Sequence, residues 1–189
     1  MVRVLKSLLF VAASFVVSTI GMPTAVQKTG FDVGNDLENI NVGHMSPLKW
    51  SIDALPTDPT LVTQSQVNDV SGKLASIARV LGIYDGHVLA AGTFGTNDGQ
   101  YVLAELGIVQ LKLNPCLDTL AAKAATTFST NETFKGTVGQ QLVALYSAYD
   151  TFTTHIVNAS PVNLKDGAQT MVNDCKGHLQ QAINAYKTN

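Results

Sequence analysis

The sequence predicts an all-α fold, an antiparallel bundle of four to five amphipathic helices with an irregular N-terminal arm. Three observations predict it. Val138, Leu142, Leu145, Tyr149, Phe152 and Ile156 recur at steps of four and three, and Leu164, Ala168, Met171, Cys175, Leu179, Ala182 and Tyr186 keep nearly the same rhythm. On a helix this spacing gathers the apolar side chains into one stripe and leaves the polar ones opposite. The two stretches are joined only by Asn158-Ala159-Ser160-Pro161, a connection short enough to fold one helix back on the other. No segment alternates with a period of two for long enough to make a strand, and Gly107–Leu113 is the one ambiguous case.

In chain order, Met1 to Gly21 reads as a secretory signal. Arg3 and Lys6 give a positive start, Leu8 to Ile20 is mostly apolar, and Thr19 and Gly21 are small enough for cleavage before Met22. Ser14, Ser18 and Thr19 interrupt the run, which makes it a poor membrane anchor. Without the signal, ten Lys and Arg face fourteen Asp and Glu, a net charge of −4. No nucleic-acid partner is expected from so acidic a balance, because binding would need a basic face. The remaining length suits one domain with one core. The expected plan is a signal over 1–21, an arm over 22–59 and a bundle over 60–189.

The arm holds Pro23, Pro47, Pro56 and Pro59 among many Gly, Asn and Asp, and reads as extended or mobile. Leu48, Trp50, Ile52 and Leu55 within it read as a short latch on the bundle, with the single tryptophan at least partly buried, the alternative being an exposed apolar tip. The first strong helix spans Thr60 to Tyr84 on the spacing of Val67, Val70, Leu74, Ile77, Leu81 and Tyr84, and Asp85-Gly86 offers a stop. Gly92, Gly95 and Gly99 with Asn97-Asp98 read as a flexible turn, since no phosphate-loop motif accompanies them. A second helix runs from Gln100 to Leu113 and ends at Asn114-Pro115; a third runs from Leu117 to Phe128. Ser129 and Glu132 have capping-box spacing for the fourth. The chain ends at Lys187-Thr188-Asn189 without an apolar tail, so no glycolipid anchor is expected.

Export would place Cys116 and Cys175 in an oxidising compartment, where a disulfide between them is the natural expectation and two buried thiols the alternative. No metal site is expected, because no histidine stands at ligand spacing from either cysteine. No catalytic motif is present, and no cofactor is implied. His178 lies four residues after Asp174 and reads as a solvated pair, while His155 reads as a rim residue beside the Phe152/Ile156 stripe. Asn131-Glu132-Thr133 and Asn158-Ala159-Ser160 are glycosylation sequons at helix junctions, the second weakened by Pro161. Finally, the stripes mix large and small residues. Leu74, Ile77, Leu81, Leu142, Leu145, Tyr149, Phe152, Met171 and Leu179 are therefore candidates to line an apolar cavity between helices, with a filled core as the alternative.

These residues carry a resemblance. The apolar-striped helix before Ala159-Ser160-Pro161, the Gly167 to Val172 step, the closing Ala182-Ile183-Asn184-Ala185-Tyr186 and the upstream Ile83-Tyr84-Asp85-Gly86 resemble the fungal hydrophobic-surface-binding protein A family, which includes the cell wall galactomannoproteins. The resemblance spans about Thr60 to Tyr186. It implies a secreted, non-enzymatic helical bundle at the wall or in the medium. Its partners would be hydrophobic surfaces or a fatty acid between the helices, with cell wall polysaccharide a further candidate. The Cys116/Cys175 pair and the long arm depart from that family's pattern. A structural wall or host-interaction protein with a filled core is the alternative function.

Overall fold

The computed structural model describes residues 27–187. The expected signal, the first residues of the arm and the last two residues lie outside them. Six α-helices follow one another: α1 (Gly30–Ile40), α2 (Ser46–Asp53), α3 (Gln64–Ala91), α4 (Thr96–Ala125), α5 (Glu132–Ala159) and α6 (Val162–Ala185). A π-helical turn, Asn41–Met45, fuses α1 to α2, so the described chain makes five rods. It contains no strand among the described residues, and Gly107–Leu113 lies inside α4.

Successive rods run antiparallel, and side-chain pairings give the register. Asp36 meets His87, His44 meets Ser76 and Ser51 meets Asp69, so α3 descends along α1–α2. A Cβ added at Gly34 would fall on the Tyr101 ring, and the Leu55 carbonyl accepts from Lys123 Nζ at 2.9 Å, so α4 rises parallel to α1–α2. Asn114 bonds Asp174 and Asp118 meets His178, which sets α6 parallel to α4 on its other side. Thus α4 lies between α1–α2 and α6.

The arm expected to be irregular is helical from Gly30 to Asp53. Val33, Leu37, Ile40, Met45, Leu48, Ile52 and Leu55 are all buried, at steps of four, three, five, three, four and three. The step of five falls on the π turn. There each N–H reaches back one residue further than in an α-helix, so the additional residue is absorbed and the stripe stays on one face. Pro47 sits in the first turn of α2, directly after the π turn. Trp50 is a correction as well. It lies two residues from both Leu48 and Ile52, roughly half a turn away, and is 70% exposed.

Three expected boundaries also move. α3 continues through Asp85-Gly86 to Ala91, held by buried Val88, and stops at Gly92, whose φ of 67° suits glycine. The expected second and third helices are one. Pro115 lacks the N–H that the Leu111 carbonyl would accept, a loss of about 3 kcal/mol in a helix interior. Even so, Leu113, Cys116, Leu117 and Leu120 continue the buried stripe of Leu106 and Val109 without a change of phase. α5 is capped by Asn131, whose Oδ1 accepts from Phe134 N at 3.0 Å, rather than by Ser129.

Candidate functional site

The residues expected to line a cavity come together, but as packing. Leu74, Ile77, Leu81, Leu142, Leu145, Tyr149, Phe152 and Leu179 are at most 3% exposed and belong to one continuous core. Met171 stands apart, half-buried at the α4–α6 edge, where Gly107 leaves room for its Cε. A side-chain polar pair lies within this core. Gln110 Nε2 donates to Tyr149 Oη at 2.6 Å, and that hydroxyl faces the Cys175 thiol. Burial pushes the Cys175 thiol up to about 12, against the pull of Tyr149.

The expected disulfide is not made: both cysteines are free and buried. Their surroundings explain this. Cys175 on α6 faces Tyr149 of α5, whereas Cys116 on α4 lies beside Lys49 and Asp53 of α2. Burial raises the Cys116 thiol too, and Asp53 adds to this while Lys49 opposes it. His178 likewise chooses another partner than expected. Its Nδ1 lies 2.6 Å from Asp118 Oδ1 across the α4–α6 seam, and Asp174 instead accepts from Asn114 at 3.1 Å. His155 is one-third exposed and sits 2.6 Å from Asp85 of α3. Asn158 is exposed on the last turn of α5, while Asn131 holds the N-terminus of that helix.

Open space lies at the surface, and two of the hollows flank α4. A groove of about 300 Å³ runs between α2 and α4. Met45, Ile52, Leu111, Pro115 and Cys116 give it an apolar lining, and Lys49, Asp53 and Lys112 bring charge to it. Lys49 is hydrogen-bonded to Asp53, one turn on. Lys112 makes no ion pair among the described residues. The groove forms where both walls depart from a regular helix, α2 just after its π turn and α4 at Pro115. A wider hollow of about 650 Å³ lies on the far side of α4, against α6, with Leu103, Ile108 and Met171 at one end and Asp118, Asp174 and His178 at the other. The two hollows share Leu111 and Pro115.

Comparison with solved structures gives this architecture a context. Ligand binding domain 1 of the Penicillium marneffei MP1 protein, complexed with arachidonic acids, superposes with a TM-score of 0.69 at 14% identity, covering 84% of this chain and 99% of that domain. AFMP4P in complex with palmitic acid gives 0.73 at 16% identity over the same shares. Ligand binding domain 2 of MP1, complexed with multiple arachidonic acids, gives 0.67 at 11%, covering 84% of this chain and 94% of that one. The chain has the fold of these domains. No family profile and no curated protein matches its sequence.

The groove residues on α2 escape the sequence reading because Pro47 within it and Pro56 and Pro59 after it signal a loop. The signal that finds them is the spacing Met45, Leu48, Ile52, Leu55, which is helical once the five-residue step after Ile40 is allowed.

Proposed function

We propose that this is a secreted, non-enzymatic protein that takes up a fatty acid or a similar single-chain lipid, or adsorbs to hydrophobic surfaces, outside the cell or at its wall. The observation that carries the reading is the fold, shared over 84% of the chain with a domain solved with palmitic acid. The apolar groove beside α4 and the exposed Trp50, Leu111 and Val42 support it from the chain's own residues. The non-enzymatic part is supported by the chemistry of the candidate nucleophiles. Both thiols are buried and pushed up by burial, and three of the four histidines face an aspartate across a helix seam. Glycans at Asn131 or Asn158 and contact with wall polysaccharide belong to the same extracellular reading.

Mass spectrometry of lipids extracted from protein purified under native conditions tests it. A stoichiometric fatty acid is the expected result. Empty protein that also fails to bind a fluorescent fatty acid would remove the lipid reading. A second reading, a structural wall or host-interaction scaffold, draws on one observation: the nine stripe residues expected around a cavity are packed together, apart from Met171.

A further inference from the structure

Resting on the lipid reading, we infer that the α2–α4 groove is the seat of an anionic single-chain amphiphile of medium length. Its carboxylate would lie at Lys112, with its chain along Met45, Ile52 and Cys116. Three observations converge on this occupant. The lining is mainly apolar, and its two cations outnumber its one carboxylate, Asp53. Because Lys49 is already bonded to Asp53, Lys112 is the charge left for a ligand. The hollow across α4 has the opposite character, with Asp118 and Asp174 at its polar end, and would repel an anionic head.

Size adds the chain length. At ~30 Å³ per methylene-sized group, close to the volume of a water in the liquid, the groove's 300 Å³ holds about ten carbons. A longer chain must cross the Leu111–Pro115 ridge toward Ile108 and Met171, so affinity should level off beyond that length rather than keep rising.

Cys116 makes the site readable, since it lines the groove while Cys175 lies in the core, fully shielded. The experiment titrates the full chain with decanoate, palmitate and decylamine. It measures affinity by calorimetry and the rate of Cys116 modification by methyl methanethiosulfonate, resolved by peptide mass spectrometry. Decanoate should bind better than decylamine and slow Cys116 modification several-fold. Lys112→Glu, a change on an exposed residue that leaves the fold intact, should weaken decanoate by roughly tenfold, or about 1.4 kcal/mol, and favour decylamine. Decanoate or palmitate that binds the Lys112→Glu variant unchanged and leaves Cys116 unprotected would overturn the site while keeping the lipid reading. Palmitate that binds and protects where decanoate does not would overturn the chain length. Failure of both acids to bind would remove the lipid reading and this inference with it.

Discussion

The α3–α5 seam and the α2–α4 seam are both built from amphipathic helices, yet one is closed and the other is open. In the first, Val70, Leu74, Ile77 and Leu81 pack with Leu142, Leu145, Phe152 and Ile156, all at most 3% exposed. In the second, Ile52 and Cys116 are buried while Leu111, 78% exposed, leaves the floor uncovered. Side-chain size does not separate them, since large apolar residues line both seams. Backbone regularity does. α3 and α5 contain no proline and no π turn, whereas α2 begins on a π turn and α4 contains Pro115. At these two seams the interrupted hydrogen-bond ladder goes with the open one, although a hollow of about 470 Å³ also lies between the uninterrupted α5 and α6 at Gly136, Gly139 and Ile183.

Truncation should break this contrast most strongly at the closed seam. Phe152→Ala is expected to cost about 3–5 kcal/mol in urea unfolding, because the surrounding core cannot collapse around the void. Ile52→Ala, on the groove wall, should fall near the lower end of the ~2–5 kcal/mol range for such changes. Equal losses at the two sites would show that the groove closes in solution. The next largest effect is expected from Tyr149→Phe. It removes the acceptor of a buried Gln110 N–H and should cost ~1–3 kcal/mol, again read from urea unfolding.

A pH effect should follow from His44, at the π turn. Burial, then the charges of Arg79 and Lys73, hold its imidazole below the usual 6.5. The unfolded chain therefore binds this proton more readily than the folded one. Its contribution is present above pH 6.5 and is lost as pH falls through the lowered folded value. Stability measured between pH 7 and 5 should drop more for the wild type than for His44→Gln. Identical slopes would show that the π turn leaves His44 as free to ionise as in the unfolded chain.

Two smaller effects sharpen the picture of the open side. Trp50→Ala should change stability by no more than about 0.5 kcal/mol, as expected for an exposed residue. In the wild type, the emission of this single tryptophan should already resemble that of a hydrated indole. Dithiothreitol should leave the melting temperature unchanged, because the structure has no disulfide to reduce. A lowered midpoint on reduction would instead demand that α4 and α6 rearrange to bring Cys116 to Cys175.

The closed side of the molecule was largely legible in the sequence, and the open side was not. Regular three–four spacing names most of the buried faces of α3, α5 and α6, down to Leu74, Tyr149 and Leu179, but picks half-buried Met171 where Val172 is the buried residue. It reads poorly wherever packing overrides a local rule. Pro115 should stop a helix, and does not, because the stripe on both sides of it is buried in phase. Asp85-Gly86 should end α3, but Val88 and the His155 contact carry the helix onward. Residues 30–53 read as an arm because prolines and a five-residue step hide a stripe that is otherwise regular. Pairing of the cysteines was argued from compartment, and no sequence rule reports which way a thiol faces on its helix.

The π turn has a consequence for how this protein can change in length. A residue removed from the middle of α1 or α2 would turn everything beyond it by about 100° and carry Leu48 and Ile52 off the core. Removal of Gly43 is different. Its added Cβ would meet nothing within 4 Å, and without it the steps from Val33 to Leu55 become four, three, four, three, four, three. The turn can then relax toward an α-helix with both flanking faces still in place, though Pro47 would then lie in a helix interior. Asn41–Met45 is thus the segment of the α1–α2 rod where a one-residue deletion keeps both buried faces in register.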